Sequence, residues 1–130
     1  MNSVAGIARE GNRYFIARRV SGGAMGEKWE FPGGKAEEGE SDADALIREY
    51  AEEFSVPVRV GKFLGTASFI HKGRQRILNA YSISFLKTNF SLNEHTEWRW
   101  ATFEEMEGLD FVDSDRKLFG FLKTDKRPET

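Results

Sequence analysis

The chain has 130 residues, 39% of them hydrophobic, and a formal net charge of −2, which suits one folded domain and is too short for two separate cores. Because it contains no cysteine, disulfides, thiolate metal sites and a cysteine nucleophile are excluded. Its Lys and Arg residues form no dense basic block and no segment approaches the roughly 18 apolar residues that span a bilayer, so we expect a cytoplasmic protein without a polymeric nucleic-acid or membrane partner.

The N-terminal third alternates short apolar runs with turns. Residues 3–8 and 14–17 are apolar and flank Glu10-Gly11-Asn12, which predicts a β-hairpin. Residues 20–28 contain three glycines and little apolar periodicity, which predicts a mobile loop that could close over a ligand. Residues 29–34 then indicate a short strand that leads into a Pro-Gly-Gly turn.

The clearest predicted helix covers residues 41–54. Ser41 is a suitable N-cap, and two aspartates follow in the positive first turn. Apolar residues recur at the i, i+3, i+4 spacing of one buried face, namely Ala43, Leu46, Ile47, Tyr50 and Phe54. Pro57 then opposes continuation of the helix.

The C-terminal half predicts strands followed by short helices. Residues 58–69 and 75–86 are rich in β-branched and aromatic residues and flank a turn at 71–74, and 98–101 predict another strand. Thr102 and Glu105 have the spacing of a capping box. Residues 114–123 predict a terminal helix with Leu118, Phe119 and Leu122 inward, and 124–130 a frayed end. This mixture indicates an α/β domain with helices on both faces of a sheet.

Three glutamates on the predicted helix are the most informative feature. Glu49, Glu52 and Glu53 fall within an arc of about 100°, and like charges at i, i+4 destabilise a helix by roughly 0.2–0.5 kcal/mol per pair. Mg²⁺ prefers carboxylate oxygens and bridges phosphates, so it would neutralise such a cluster. The alternative is an ordinary solvated acidic face, with Arg48 paired to Glu52.

The segment before the helix strengthens the metal interpretation. Gly33 and Gly34 let backbone groups approach a ligand or metal closely, and Lys35 can meet a phosphate. Glu40 can add a carboxylate or orient Arg48. Taken separately, each of these features is more often a plain turn or an exposed side chain.

Six positions together resemble the Nudix box: glycine, five residues, glutamate, seven residues, Arg-Glu, two residues, and two glutamates. The matching residues are Gly34, Glu40, Arg48, Glu49, Glu52 and Glu53. Two positions depart from the pattern. Tyr50 stands where a smaller aliphatic residue is usual, and Ser55 replaces the usual final glycine, so it must adopt or avoid a conformation that glycine reaches easily.

The resemblance extends through residues 15–35 to the MutT-type branch, which sanitises nucleoside triphosphate pools. It implies a single Nudix domain over residues 1–130, with the box from Gly34 to Val56, folded as an α/β/α sandwich around a central mixed β-sheet. It also implies a monomer or homodimer that uses Mg²⁺, which Mn²⁺ can replace. The expected reaction converts a nucleoside triphosphate, oxidised ones such as 8-oxo-dGTP included, and water into a nucleoside monophosphate and pyrophosphate.

The resemblance also suggests roles around the cation. Metal ligands are expected from the Gly33 carbonyl and from Glu49, Glu52 and Glu53, with Arg48 orienting the carboxylates. The general base is left open between Glu52 or Glu53 and a carboxylate of a later loop, Glu94 or Glu97. His95 is expected to be a surface or hydrogen-bonding residue.

Further residues are expected to contact the nucleotide. Arg19, Gly34 and Lys35 are candidates for phosphate or base contacts. Asp115 matches the position where MutT-like enzymes place Asn or Asp against the nucleobase edge, although an Asp at a helix start is also favoured by the dipole. Ile77 and Phe111 are candidate apolar walls, with core packing as their alternative.

Two other functions remain open from the sequence. The same chemistry could act on another substrate, such as a dinucleoside polyphosphate, ADP-ribose or a nucleotide cofactor. A non-catalytic module that only binds a nucleotide is the second alternative, although this chain keeps every box glutamate.

Overall fold

The computed structural model describes residues 2–23 and 25–124. Within them, seven strands and four helices follow the order β1 (Ser3–Glu10), β2 (Arg13–Arg19), β3 (Trp29–Glu30), β4 (Gly33–Lys35), α1 (Asp42–Phe54), β5 (Val58–His71), β6 (Arg74–Phe85), β7 (His95–Thr102), α2 (Phe103–Glu107), α3 (Asp113–Arg116) and α4 (Phe119–Leu122). Residues 125–130, where we predicted a frayed end, lie outside the described residues. No helix in the described ranges is long and apolar enough to cross a membrane.

The sheet is mixed and is organised around β1. The predicted hairpin is confirmed, but β1 and β2 pair only near their turn, at Arg9↔Tyr14 and Glu10↔Arg13. Beyond that point the two strands part. β1 pairs in parallel with β6 and antiparallel with β4, whereas β2 pairs antiparallel with β3 and β7. The strand that carries the paired glycines therefore lies beside the central strand.

Alternate residues of β1 belong to two separate cores, because successive side chains of a strand point to opposite faces of the sheet. Val4 and Ala8 pack with Leu46, Tyr50 and other residues of α1 on one face. On the opposite face, Ala5 and Ile7 belong to a core built with Met106 of α2 and Phe119 and Leu122 of α4. This arrangement confirms the predicted α/β/α sandwich with a central mixed sheet.

The helix face that is buried differs from the predicted one. Ile47 is 41% exposed and Ala43 is half-buried, whereas Ala45 and Glu53 are buried. Leu46, Tyr50 and Phe54 are buried as predicted. The helix is therefore rotated relative to the prediction, so that Glu53 is on its buried side. That side borders the cleft described below.

Two predicted boundaries were wrong. Gly33 and Gly34 form strand β4 rather than a turn, because their extended backbone pairs with Ala5 and Val4. The predicted terminal helix is divided into α3 and α4, although Leu118, Phe119 and Leu122 are buried as expected. The predicted loop at 20–28 is confirmed as a loop in its described part, which excludes Ala24.

Candidate active site

Helix α1 presents its glutamates at the edge of β4. A Cβ atom at Gly34 would lie only 2.4 Å from Glu49 Cδ, so any side chain there would displace the Glu49 carboxylate from the edge of the strand. The side chains of Glu49 and Glu53 are 15% and 4% exposed, whereas Glu52 is 51% exposed. Two of the three glutamates predicted as metal ligands therefore face inward, and Glu52 stands at the outer rim.

Arg48 connects the loop before α1 with the glutamates of the helix. Its guanidinium donates two hydrogen bonds to Glu40, of 2.8 and 3.0 Å, one of 2.9 Å to Glu49 and one of 3.1 Å to the Lys35 carbonyl. A weaker contact of 3.3 Å reaches Glu52. The hydrogen bonds from Arg48 lower the pKa of Glu40 to about 2, and the acidic partners raise the pKa of Arg48. Glu40 thus orients Arg48, which was one of its two predicted roles.

Glu53 is buried at the centre of the cleft without a full set of partners. Its Oε1 atom is buried and accepts no hydrogen bond. Burial raises the pKa of Glu53 well above its usual range, and the carboxylates of Glu49, Glu30 and Glu94 raise it further. An orphaned carboxylate oxygen among like charges is the environment that a divalent cation relieves. The donor set fits Mg²⁺ or Mn²⁺, which prefer carboxylate oxygens.

Glu30 and His95 complete this cleft, and the sequence reasoning missed Glu30 altogether. Arg19 donates a 2.9 Å hydrogen bond to one oxygen of Glu30, and His95 Nε2 lies 2.8 Å from the other. His95 is buried, which excludes the predicted surface position and supports the hydrogen-bonding alternative. The motif Trp29-Glu30-Phe31-Pro32 directly before the paired glycines was the available signal for Glu30.

A cavity beside the cleft is lined by both Glu30 and Asp115. Its polar lining includes Arg19, Lys35 and the backbone of Gly33, and Phe31, Leu78 and Val112 are among its apolar walls. Met25, from the loop at 20–28, also lines it. Glu30 belongs both to this cavity and to the cleft formed with Glu49, Glu53, Asn93, Glu94 and His95. Arg19 and Gly33 also line both spaces, so the cleft and the cavity adjoin at these three residues.

Asp115 is a buried acid at the wall of the cavity. Its Oδ2 accepts a 2.8 Å hydrogen bond from the Phe31 amide, and Oδ1 accepts one of 3.2 Å from the Ser114 hydroxyl. Burial and the nearby charge of Glu30 raise the pKa of Asp115 to about 8, although both hydrogen bonds and Arg19 oppose the rise. A protonated carboxyl can donate as well as accept a hydrogen bond, so it can bind a ligand edge that carries both a donor and an acceptor.

Three predicted site residues lie elsewhere. Ile77 is 38% exposed and does not line the cavity, where its neighbour Leu78 takes the expected place because alternate residues of β6 face opposite sides. Phe111 is in the core, with its ring against those of Phe31 and Phe119. Glu97 pairs with Arg18 at 3.3 Å and lies outside the cleft, whereas Glu94 lines the cleft.

The C-terminal end of α1 is fixed by the segment that carries Glu94. Ser55 has φ 58° and ψ 36°, so it adopts the left-handed conformation for which glycine is usual. The Asn93 amide group donates to the Glu52 carbonyl at 2.8 Å and to the Ser55 hydroxyl at 3.0 Å. The Asn93 backbone N–H donates to the Glu53 carbonyl at 3.1 Å.

Comparison with known proteins shows which sequences and structures this chain resembles. Residues 2–120 match the NUDIX domain family. The 8-oxo-dGTP diphosphatase of Proteus vulgaris is 36% identical over 91 residues, which cover 70% of this chain and 77% of the relative. The CTP pyrophosphohydrolase of Escherichia coli K12 is 30% identical over 102 residues, which cover 78% and 76% of the two chains. The solution structure of the E. coli ORF135 protein superimposes with a TM-score of 0.85 at 27% identity, covering 95% of this chain and 88% of that one.

Proposed function

This chain belongs to the NUDIX domain family and is a hydrolase of that family, and from this premise we propose that it is a nucleoside triphosphate pyrophosphohydrolase dependent on a divalent cation. It converts a nucleoside or deoxynucleoside triphosphate and water into the monophosphate and pyrophosphate. The observation that carries the proposal is the adjacency of two spaces, the cleft lined by carboxylates of α1 and the cavity lined by Asp115, which suit a phosphate chain and a base respectively.

Glu49 and Glu53, with the Gly33 carbonyl, are the groups that would hold the cation. All three line the same cleft, and Glu53 Oε1 has no hydrogen-bond partner there. Glu52 would contribute from the rim. When bound, the cation supplies charge neutralisation for the phosphates and a more acidic water.

Glu94 is the better supported of the two late-loop candidates for the general base. It lines the cleft beside Glu53, whereas the charge of Glu97 is already paired with Arg18. Glu94 is exposed, so its carboxylate stays available to a solvent molecule that enters the cleft. Glu53 keeps its second role as an alternative base. Arg48 holds Glu49 in place through the contacts described above.

Cationic and acidic walls of the cavity orient the nucleotide. Arg19 lines both the cavity and the cleft, and Lys35 lines the cavity, so both would offset the charge of a phosphate chain. Asp115 would contact the edge of the base, with Phe31 and Leu78 as apolar neighbours. The names of the similar diphosphatase and CTP pyrophosphohydrolase support nucleoside triphosphates, oxidised ones included, as the substrate class. The physiological role we propose is sanitation of the cytoplasmic nucleotide pool.

The proposal is tested by a hydrolysis screen in Mg²⁺ and in EDTA, in which pyrophosphate and the nucleotide products are separated by anion-exchange chromatography. Its substrates are ordinary and oxidised nucleoside triphosphates, dinucleoside polyphosphates and ADP-ribose. We expect Mg²⁺-dependent release from at least one triphosphate, loss of most turnover in Glu53→Gln, and little change in Glu97→Gln. Hydrolysis confined to the other two classes contradicts the triphosphate substrate, and binding of nucleotides without turnover favours the non-catalytic module.

A further inference from the structure

His95 lies at the junction of the cleft and the cavity. Its side chain is 4% exposed, and Nε2 lies 2.8 Å from Glu30 Oε2 and 3.7 Å from Glu53 Oε1. The ring stacks on Phe54, with centroids 5.2 Å apart and an interplanar angle of 10°. One edge of the imidazole therefore faces two carboxylates that belong to different elements, β3 and α1.

The contact with Glu30 fixes the position of the shared carboxylate. A carboxylate can only accept hydrogen bonds, so the 2.8 Å contact places the proton on His95 Nε2. The other oxygen of Glu30 accepts from Arg19. Glu30 is thus held at both oxygens, one by a group of β2 and one by a group of β7.

An N–H group in this position also moderates the repulsion between Glu30 and Glu53. Both carboxylates are shielded from water, with side-chain exposures of 13% and 4%. Like charges in such a setting repel more strongly than they do in water. A donor between them allows both to stay beside the cleft, whereas its removal favours rotation of one carboxylate away from the other.

We propose that His95 is a positioning residue whose Nε2–H holds Glu30 beside Glu53, so that the oxygens of the cation-binding cleft are set before the cation arrives. The inference rests on the proposed function for its catalytic consequence, but cation binding tests it independently. Packing on Phe54 requires only an aromatic ring, whereas positioning requires the donor. This difference separates the two roles of His95 by experiment.

The experiment compares His95→Gln with His95→Phe. Gln keeps an N–H donor toward Glu30 and loses the ring, whereas Phe keeps the stack on Phe54 and loses the donor. Loss of groups that orient metal ligands reduces metal affinity or activity by about 10–100-fold. We therefore expect H95F to lose at least about tenfold in Mn²⁺ affinity, measured by electron paramagnetic resonance without nucleotide, and in kcat for pyrophosphate release. H95Q is expected to stay close to the wild type in both.

A second pair of variants tests whether His95 acts through Glu30. Glu30→Ala is expected to weaken Mn²⁺ binding as H95F does, and H95F on the E30A background is expected to add little, because the shared contact is already gone. This comparison uses Mn²⁺ binding only, so it does not depend on whether Glu30 also touches the nucleotide. Thermal unfolding of each variant confirms that it is folded.

The outcomes separate the positioning role from the proposed function. If the Mn²⁺ affinity of H95F is normal, the positioning role is overturned, whether or not H95Q binds Mn²⁺ more weakly. Independent, additive losses in E30A and H95F overturn it as well. If the wild type releases pyrophosphate from no nucleotide while the Mn²⁺ affinities follow the expected order, the proposed function fails and the positioning role stands.

Discussion

The Tyr50 hydroxyl donates a 2.7 Å hydrogen bond to the buried carbonyl of Gly6, which joins α1 to the central strand β1. The Gly6 N–H in turn donates to the Pro32 carbonyl at 2.9 Å, directly before Gly33. A Cβ atom at position 6 would lie 2.9 Å from Tyr50 Cε2. Tyr50 fits where the box usually has a smaller residue because Gly6 leaves room for its ring.

We therefore expect Gly6→Ala to lower the free energy of unfolding by about 1–3 kcal/mol, through overpacking. Tyr50→Leu is expected to destabilise the wild type by removing the ring and leaving the Gly6 carbonyl without its donor. The double variant should be less unstable than the sum of the two, because the smaller side chain removes the clash. Urea unfolding followed by tryptophan fluorescence measures this.

The control is Gly120→Ala, where an added Cβ meets no atom within 4 Å. It is expected to be neutral or slightly stabilising, because Gly120 lies in α4 and alanine favours a helix. Strict additivity of the Gly6 and Tyr50 variants would show that the two residues do not share space as the structure indicates.

Elements with local signals were predictable from the sequence. Ser41 caps α1, and Thr102 with Glu105 forms the capping box of α2, because each signal lies within one turn of the helix start. The rotation of α1 was not predictable in this way. Ala43 and Ala45 are chemically equivalent, and only the packing of the helix on the sheet decides that Ala45 is buried.

The site was predictable where its residues share one segment. The spacing from Gly34 to Glu53 identified the carboxylate cluster. The contact between Glu30 and His95 depends on strand β2, which pairs with β3 on one side, at Ala17↔Glu30, and with β7 on the other, at Arg19↔His95. Such a meeting of residues 65 positions apart has no local signature. The exposure of Ile77 likewise followed from the register of β6, which the apolar sequence left ambiguous.

The Glu40–Arg48 contact predicts a specific dependence of stability on pH. Because hydrogen bonds from Arg48 lower the pKa of Glu40 from 4.5 to about 2, the native protein favours the ionised carboxylate. Its contribution to stability is complete above about pH 4.5 and is lost as the pH falls toward about 2. Glu40→Gln should therefore be less stable than the wild type at pH 7, with a difference that narrows in acid.

Urea unfolding midpoints at pH 7, 4 and 3 measure this difference. Glu38→Gln is the matched control, since Glu38 is an exposed glutamate in the same loop, and it should follow the wild type at every pH. A deficit of E40Q that persists unchanged at pH 3 contradicts the assignment.

When no cation is bound, the contribution of Glu53 to stability should depend on pH in the opposite direction to that of Glu40. Burial and neighbouring carboxylates raise its pKa, so stability is highest below its ordinary pKa of 4.5 and is lost as the pH rises. Gln resembles the protonated carboxyl and carries no charge. In EDTA, Glu53→Gln should unfold at a higher temperature than the wild type, by a margin that increases from pH 5 to pH 9.

Glu52→Gln provides the comparison, because Glu52 is half-exposed on the same helix turn. It should change the melting temperature in EDTA little at any pH. Addition of Mg²⁺ should stabilise the wild type more than E53Q. Equal changes in melting temperature for E52Q and E53Q in EDTA would mean that the burial of Glu53 does not cause the pH-dependent stabilisation.

Asp115 predicts a pH-dependent interaction with the nucleotide. Its pKa of about 8 means that the carboxyl is protonated and can both donate and accept at neutral pH, and only accepts well above pH 8. Asp115→Asn keeps both capacities at every pH. We expect KM of the wild type to change between pH 6.5 and 9 and that of D115N to stay flat, with kcat altered less than KM. Asp113→Asn, an exposed change in the same helix, should retain the wild-type profile, and a flat wild-type KM contradicts the role.

The Asn93–Ser55 contact predicts opposite effects of two small substitutions. A left-handed conformation costs a residue other than glycine roughly 1–2 kcal/mol, and one hydrogen bond contributes about 0.5–1.5 kcal/mol. Ser55→Gly loses the bond but removes the strain, so it should be neutral or stabilising, whereas Ser55→Ala loses the bond, keeps the strain and should destabilise. Asn93→Ala should destabilise by about 1 kcal/mol and reduce kcat more than KM, because Glu94 follows directly on this anchor. Chemical unfolding measures the changes in stability, and steady-state pyrophosphate release measures the changes in kcat and KM. If Ser55→Ala were as stable as Ser55→Gly, the left-handed conformation at position 55 would not be strained.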